Sequence, residues 1–442
     1  MKSKILRTVM LALAVVSASG CSLIKKSGPK TPVLGERVPV LTAELGVEVD
    51  PATAALPMNL PEAVANTEWA QAGGNAQKSM GHLALGSALG QAWAVSIGAG
   101  GSLKARLSSA PVVADNRIYT VDTNSTVRAF DARTGGQVWQ TQFGVDKGNE
   151  ASLYGGGVAY DGGRIYATNG LGHVVALDAT NGGIVWQVRP GGPLRGAPSV
   201  GLGLVYVMSQ DNQLYALKVA DGSTDWSAAA SLEIAGVFGT ASPAVAQGTV
   251  VSGFSSGELN AYRYENGRNL WQDALSRTSI TTSVATLSDI DAHPVIDSGQ
   301  VFAVGQGGRM VALELNSGQR MWELNIAGIS TPWVAGDWVF VVTDDAKLMA
   351  VARNNGKIRW ITQLRQFHNE KAKKGQISYS GPVLAGGRLI VANSTGALIN
   401  VDPVTGGIQT QTSIGGEVHL SPVVANQTLY VLDDNGRLHA FR

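Results

Sequence analysis

The sequence predicts an all-β fold built from repeated small sheets, and three observations indicate it. The 442 residues include 55 glycines, an excess that is typical of many tight turns rather than long helices. The segment APVVADNRIYTVDTNSTVRAFDARTGGQVWQ at 110–140 has the same pattern as HPVIDSGQVFAVGQGGRMVALELNSGQRMWE at 293–323. Within a repeat, short runs such as RIYTV at 117–121 alternate apolar and polar residues and are separated by turns.

Each repeat closes on a strand that carries a tryptophan, and these positions predict the number of sheets. A glycine-rich turn such as the TGG of TGGQVW supplies the positive φ angles of a tight hairpin before this strand. The eight positions are Trp93, Trp139, Trp186, Trp226, Trp271, Trp322, Trp360 and Thr410. One four-stranded sheet cannot bury both faces alone, but eight sheets arranged radially can. We therefore predict an eight-bladed β-propeller of four-stranded antiparallel blades.

The two ends of the repeat region predict that the ring is closed. The last repeat, LSPVVANQTLYVLDDNGRLHAF at 420–441, stops after its third strand. The segment GQAWAVSI at 90–97 is a fourth strand without the first three. We expect the N-terminal strand to complete the last blade, which leaves no open edge inside the ring.

Residues 1–20 have the pattern of a secretory signal peptide. A positively charged start precedes VMLALAVVSA at 9–18, an apolar run too short to span a bilayer. The ASGC that ends at Cys21 resembles the lipobox of bacterial lipoproteins, with Ala18 where leucine is usual, and it implies lipidation of Cys21. An ordinary signal peptide followed by a chance cysteine is the alternative. Because Cys21 is the only cysteine, lipidation would leave no disulfide, Cys-ligated metal or thiol nucleophile.

The segment at 21–66 is predicted to be an extended tether, and the propeller to occupy 67–442. Six prolines interrupt the segment, and it has no sustained apolar periodicity: Pro29, Pro32, Pro39, Pro51, Pro57 and Pro61. Such a tether would hold a folded domain away from the membrane surface that the acyl chains occupy.

Charge and histidine spacing exclude several classes of function. The 34 basic and 33 acidic residues give a net charge of +1, which provides no field for nucleic acid or for electrostatic binding to a membrane. The six histidines are dispersed, so a zinc site is not expected. The basic loop at 365–375 is interpreted as solvated, with an acidic partner or lipid headgroups as the alternative. DDNGR at 433–437 lacks the glutamate of a calcium loop. We predict no catalytic, cofactor-binding or metal-binding residues.

The repeats resemble two kinds of propeller protein. Repeats with the TGGxxW pattern resemble those of the pyrroloquinoline-quinone enzymes. In those enzymes a calcium-anchored quinone usually stacks on a disulfide between adjacent cysteines. This chain has no adjacent cysteine pair. The lipobox, the tether, TEWAQAGGNAQKSMGH at 67–82 and the eight repeats together resemble the outer-membrane protein assembly factor B (BamB) lipoproteins. That resemblance implies a non-catalytic scaffold at the periplasmic face of the outer membrane. It also implies docking on the POTRA domains of the central barrel subunit.

Two long loops on one rim carry the predicted partner-binding residues. The most specific shared segment is LSDIDAHPV at 287–295, which contains Asp289 and Asp291. The preceding interblade loop contains Leu232 and Ile234, and the resemblance assigns an arginine to the position that Ala235 occupies here. Apolar anchors beside carboxylates predict an outward-facing docking patch, in which the carboxylates accept hydrogen bonds from the partner.

Other interpretations of these residues stay open at the level of sequence. Asp289 and Asp291 could instead cap turns or bind the loop backbone, and Leu232 and Ile234 could tuck into the blades. Two other functions also remain: a quinone-dependent periplasmic dehydrogenase, and a protein that binds unfolded client strands at a blade edge.

Overall fold

The repeats fold into the predicted sheets. The computed structural model describes residues 47–102, 104–145, 156–232, 241–275 and 288–442. Within these residues, eight four-stranded antiparallel sheets follow one another along the chain. The prediction of an all-β, eight-bladed propeller is therefore confirmed.

The blades are numbered 1 to 8 along the chain, and each blade is given from its first strand to its fourth. Blade 1 is β2 (Val112–Ala114), β3 (Arg117–Val121), β4 (Thr126–Asp131) and β5 (Gln137–Gln142). Blade 2 is β6 (Gly156–Asp161), β7 (Arg164–Asn169), β8 (Val174–Asp178) and β9 (Ile184–Val188). Blade 3 is β10 (Leu194–Gly201), β11 (Leu204–Ser209), β12 (Gln213–Lys218) and β13 (Thr224–Ala229). Blade 4 is β14 (Ala244–Ala246), β15 (Thr249–Gly253), β16 (Glu258–Arg263) and β17 (Asn269–Ala274).

The remaining blades repeat this arrangement. Blade 5 is β18 (Val295–Asp297), β19 (Gln300–Gly305), β20 (Arg309–Glu314) and β21 (Arg320–Leu324). Blade 6 is β22 (Trp333–Ala335), β23 (Trp338–Val342), β24 (Lys347–Ala352) and β25 (Ile358–Gln363). Blade 7 is β28 (Tyr379–Ala385), β29 (Arg388–Asn393), β30 (Ala397–Val401) and β31 (Ile408–Ser413). Blade 8 is β32 (Val423–Ala425), β33 (Thr428–Leu432), β34 (Arg437–Phe441) and β1 (Gln91–Ser96).

The N-terminal strand closes the ring, as the sequence predicts. β1 pairs antiparallel with β34, from Gln91 opposite Phe441 to Ser96 opposite Arg437. Beyond the strand, Gly90 N donates to Arg442 O (2.7 Å), which extends the pairing to the last residue of the chain. Blade 8 therefore joins the two ends of the repeat region by hydrogen bonds.

In blades 1 to 6, a tryptophan of the fourth strand donates a hydrogen bond to the next blade. Trp139 in β5 tilts against Tyr119 of its own blade, with ring centroids 5.9 Å apart. Its Nε1 donates to Ala179 O of blade 2 (3.0 Å). The indole also lies against Gly182, where an added Cβ would be 2.5 Å from Trp139 Cε3. Five further tryptophans donate in the same way to the next blade: Trp186, Trp226, Trp271, Trp322 and Trp360.

Residues 66–83, here called the axial plug, bind every blade in ring order. Most of these hydrogen bonds go to the first strands of the blades. In ring order, from blade 8 and then from blade 1 to blade 7, the bonded pairs are Asn66 with Val424 and Asn426, Trp69 with Val113, Ala70 with Tyr160, Gln71 with Val200, Ala76 with Val245, Gln77 with Ile296, Gly81 with Trp333, and Leu83 with Leu384 and Gly386. These partners lie mostly in the C-terminal halves of the first strands. The plug therefore circles one end of the propeller axis.

Part of the predicted tether is folded against the propeller. Helix α1 (Pro51–Ala55) starts with Asp50 as its N-cap, whose Oδ1 accepts from Thr53 N (2.8 Å). Asp50 N donates to Ile358 O of β25 (2.9 Å), so this part of the predicted tether lies on blade 6. Proline favours extended backbone, but it does not prevent that backbone from pairing with a strand edge.

The basic loop between blades 6 and 7 forms a hairpin. Its strands are β26 (Phe367–Asn369) and β27 (Lys374–Gln376), which pair antiparallel. Both strands are largely exposed. Exposure agrees with the interpretation of this loop as solvated.

Candidate functional site

Asp289 and Asp291 precede β18, and the structure buries both side chains. Asp289 is fully buried, and Asp291 is 9 % exposed. The backbone of the segment is fastened on two sides. Ile290 N donates to Phe254 O of blade 4 (3.2 Å). Gln306 N of blade 5 donates to Asp289 O (2.9 Å). Residues 288–293 are therefore wedged between blades 4 and 5.

The two carboxylates are paired with a buried arginine of blade 3. Arg195 Nη2 lies 3.4 Å from Asp291 Oδ1 and 3.9 Å from Asp289 Oδ1. Arg195 Nη1 donates to Ser255 Oγ and, at 3.4 Å, to Asn212 Oδ1. A guanidinium has five N–H donors in a fixed fork, so one arginine can serve all four partners. The cluster joins blades 3, 4 and 5 through a single side chain.

Burial decides the electrostatics of this cluster. It raises the pKa of Asp291 to about 7; Arg195 opposes the rise, and Asp289 and Asp344 add to it. Burial also lowers the pKa of Arg195, against the attraction of the two aspartates. Two ionised carboxylates beside one guanidinium would leave a buried negative charge. Protonation of Asp291 removes that charge, so the cluster approaches neutrality near neutral pH.

Leu232 is displayed on the surface at the end of blade 3. It follows β13 by three residues, and its side chain is 70 % exposed. The residue before it is held firmly, since Ser231 N and Oγ donate to the two carboxylate oxygens of Glu258 at 3.0 and 2.7 Å. Asn212 Nδ2 donates to Ser231 O (2.7 Å). An apolar side chain thus projects from a fixed backbone position.

A continuous polar network links the buried carboxylates to this exposed leucine. Asn212 bonds through its oxygen to Arg195 and through its nitrogen to Ser231 O, next to Leu232. Arg195 continues to Asp291. The structure therefore brings together three of the four predicted residues, two of them inside and one at the surface.

The remaining residues of the predicted patch, Ile234 and Ala235, lie outside the described residues. The expectation that both carboxylates face outward is wrong, because their side chains turn inward to Arg195. Carboxylates at an exposed rim would be solvated by water. A buried guanidinium is unfavourable unless a carboxylate compensates its charge, so the two aspartates turn inward. Sequence reasoning missed Arg195 and Asn212. The available signal was an arginine in PLRGAPSV, just ahead of the small-Pro start of blade 3.

Asp291 also borders a cavity of about 230 Å³ on the propeller axis. Lys78 and His293 line the same cavity. Oδ1 of Asp291 lies 3.4 Å from Arg195 Nη2, so this carboxylate belongs both to the Arg195 cluster and to the cavity wall.

In the described part of the chain, one group of side chains has the spacing of a metal site. Ligand atoms of Glu417, His419 and Asp434 lie within 4.8 Å of one another. His419 Nδ1 is 2.7 Å from Asp434 Oδ2, and Glu417 and His419 are exposed. The group is therefore an ordinary surface arrangement of a histidine and acids. Asp433, of the calcium-like sequence, instead accepts from Arg437 N (2.9 Å) to close its turn.

Within the described ranges, no helix is both long and apolar enough to cross a membrane.

Comparison with known proteins places these features in a family. The family model described as "Outer membrane protein assembly factor BamB" matches residues 92–146, 123–362 and 365–442. The protein of that name from Escherichia coli (strain K12) is 31 % identical over 395 residues, covering 79 % of this chain and 88 % of the relative. The Yersinia pestis protein of the same name is 29 % identical over 355 residues, covering 79 % and 88 %.

Solved structures agree on the fold. BamB from Moraxella catarrhalis superposes with a TM-score of 0.67 at 18 % identity, covering 80 % of this chain and 100 % of that one. Quinohemoprotein alcohol dehydrogenase from Comamonas testosteroni gives 0.66 at 15 % identity, covering 86 % and 81 %. Identities this low show a shared propeller and nothing about activity. The family model and the sequence relatives distinguish the two kinds of propeller: the chain belongs to the outer membrane protein assembly factor BamB family.

Proposed function

We propose that this propeller is a non-catalytic scaffold of outer-membrane protein assembly. A lipid on Cys21 holds it at the periplasmic face of the outer membrane. It docks on the POTRA domains of the central barrel subunit through the rim that carries Leu232 and Ile234. Membership of the family supports the scaffold, since the relatives are named as assembly factors.

The observation that carries the docking site is the fixed, exposed side chain of Leu232. The side chain of Leu232 is 70 % exposed, so a partner that covers it removes apolar surface from water, which favours binding. Hydrogen bonds to Glu258 and Asn212 hold the adjacent Ser231, so little ordering of the backbone is needed on binding. A few anchors near the centre of an interface carry most of its binding energy, and we propose that Leu232 is one of them.

The buried carboxylates act in this proposal as positioning residues. Asp289 and Asp291 neutralise Arg195, and Arg195 holds Asn212, which in turn holds the backbone next to Leu232. Loss of the carboxylates would leave a guanidinium buried without compensation and would release this chain of contacts. Their effect on docking is therefore indirect, in contrast to the direct hydrogen bonds that the sequence alone suggests.

The test is a titration of the isolated POTRA domains with purified wild-type and variant propellers. We expect Leu232→Ala and Ile234→Ala each to weaken binding by about 2 kcal/mol, roughly thirtyfold, as for central anchors. Ile408→Ala is the matched control, because Ile408 is an exposed apolar residue (53 %) on the outer strand of blade 7. It should bind like the wild type. All variants should first be shown to melt like the wild-type protein.

Further variants separate anchoring from positioning. Asp289→Ala/Asp291→Ala should weaken binding and also lower the melting temperature, whereas Leu232→Ala should lower affinity alone. Wild-type affinity in Leu232→Ala and Ile234→Ala would exclude this site. Loss of binding in Arg365→Ala/Lys371→Ala instead would place the interface at the basic hairpin β26–β27.

A further inference from the structure

The cavity on the propeller axis, here called the axial cavity, is lined partly by the axial plug and partly by the blades. The axial plug contributes Trp69 and Lys78, and the walls come from residues that lie in or just before the first strands of several blades, including His293, Trp333 and Pro382. The indoles of Trp69 and Trp333 stack at 6.1 Å between ring centroids, with 19° between their planes. At roughly 30 Å³ per water, about 230 Å³ holds some seven waters, which is more space than an inorganic ion needs.

The axial plug contributes the side chain of Lys78 to the wall of this cavity. Its side chain is 2 % exposed, and its backbone adopts a left-handed conformation with φ of 65°. Such a conformation is unfavourable for lysine, so the surrounding plug holds it in place. Gly73 lies directly beside it: an added Cβ there would be 3.0 Å from Lys78 Cδ. The backbone of the axial plug therefore holds the side chain of Lys78 at the cavity.

The partners of Lys78 leave its charge uncompensated. Nζ donates to Ser199 Oγ (2.9 Å), and that hydroxyl donates onward to Pro243 O (2.6 Å). Among the residues that the structure describes, no carboxylate forms an ion pair with Lys78, and burial lowers its pKa to about 7. An ammonium has three donors, and Ser199 takes one of them. With a pKa of about 7 this amine is partly neutral at neutral pH, and a bound anion would stabilise its protonated form.

His293 supplies a second hydrogen-bond donor to the axial cavity. Its Nδ1 accepts from Ser242 N (2.8 Å), and burial lowers the pKa of the ring to about 3, so the imidazole is neutral at physiological pH. Because Nδ1 is the acceptor, the ring proton is on Nε2. His293 N is also bonded to Thr331 Oγ1 (3.1 Å), which fixes the residue against blade 6. The ring therefore offers an N–H donor from a fixed position near Lys78.

We propose that the axial cavity binds a small organic monocarboxylate, which accepts hydrogen bonds from Lys78 Nζ and His293 Nε2. The indoles of Trp69 and Trp333 pack against its apolar part. One ammonium matches one negative charge, and charge-assisted hydrogen bonds in a buried site are strong. Asp291 does not compete for Lys78, since it is paired with Arg195. Leu232 is not part of this cavity wall, so the two proposals have separate tests.

The test is calorimetric titration of the purified protein with benzoate, with benzamide as the neutral analogue of the same shape and inorganic phosphate as a second anion. We expect saturable binding of benzoate and at least tenfold weaker binding of the other two. Lys78→Met should reduce benzoate affinity at least tenfold, since it removes the charge and keeps the length. Lys104→Met is the control, because Lys104 is exposed. Equal binding of benzamide, or unchanged binding in Lys78→Met, would overturn the proposal.

A second measurement needs no variant. Reductive methylation of the wild-type protein, mapped by mass spectrometry, should modify Lys78 slowly, and benzoate should slow it further. The rate at exposed Lys104 should not change. Phosphate that protects Lys78 as well as benzoate does would identify a general anion site and contradict the organic carboxylate. Absence of protection by benzoate would exclude the site.

Discussion

At the scale of single residues, the contact between tryptophan and glycine explains the most regular part of the sequence. In the described residues, the indole of a fourth strand lies on the positive-φ glycine of the next blade, as Trp139 lies on Gly182 and Trp360 on Gly406. Thr410 occupies the eighth position because blade 8 has no such turn. Its third and fourth strands belong to opposite ends of the chain, so an indole there would have no glycine to cover.

This contact predicts a position-specific cost of adding one methyl group. Gly182→Ala places a Cβ 2.5 Å from Trp139 Cε3, whereas Gly203→Ala, with a similar φ of 80°, meets open space. Both substitutions carry the positive-φ penalty of about 1 kcal/mol, and Gly182→Ala should add about 1–3 kcal/mol from overpacking. Urea unfolding monitored by circular dichroism measures the difference. Equal losses of stability would show that the Trp–Gly contact contributes little.

At the scale of elements, two N-terminal segments organise the ring. The axial plug binds all eight blades at one end of the axis, and β1 provides the fourth strand of blade 8. Both are contributed by residues that precede the first complete repeat. The chain therefore uses its N-terminal part twice, once along the axis and once at the outer edge.

Removal of β1 should destabilise the protein far more than removal of the tether. Without residues 90–97, β34 exposes its hydrogen-bonding edge and blade 8 loses the indole of Trp93, which lies on Gly135 of blade 1. We expect a melting temperature several degrees lower or more, at roughly 2–4 °C per kcal/mol for a large domain. Deletion of residues 22–45 should leave it nearly unchanged. Equal melting temperatures for the two deletions in differential scanning calorimetry would contradict this role of β1.

At the scale of the whole molecule, the two ends of the propeller differ. The axial plug binds mostly the C-terminal halves of the first strands, as Tyr160 and Leu384 illustrate. The interblade loops enter at the opposite end, where Leu232 and the basic hairpin lie. Among the described residues, one end is therefore covered by the axial plug, and Leu232, the proposed docking residue, lies at the other.

The proposed lipid anchor on Cys21 leads to a prediction for the whole molecule. We predict that Cys21→Ser releases the protein into the periplasm, because loss of the acyl chains removes the only membrane-binding element evident in the sequence. Fractionation of the envelope measures this, with wild-type protein as the membrane-bound reference. Sedimentation of Cys21→Ser with outer membrane in a strain that lacks the partner would refute the lipid anchor.

The sequence by itself determined the blades, their number and the closure of the ring, because these depend on local alternation, turn glycines and a repeated indole. Tertiary structure decided the rest. The plug has no periodicity of its own, since its hydrogen bonds go to eight strands far apart in sequence. Asp289 and Asp291 look like surface acids in the sequence, but in the fold Arg195 of blade 3 reaches them and pairs with them. Lys78 becomes a buried cation only when the ring closes around it. Burial and pairing depend on what packs from elsewhere in the chain, which a local pattern does not record.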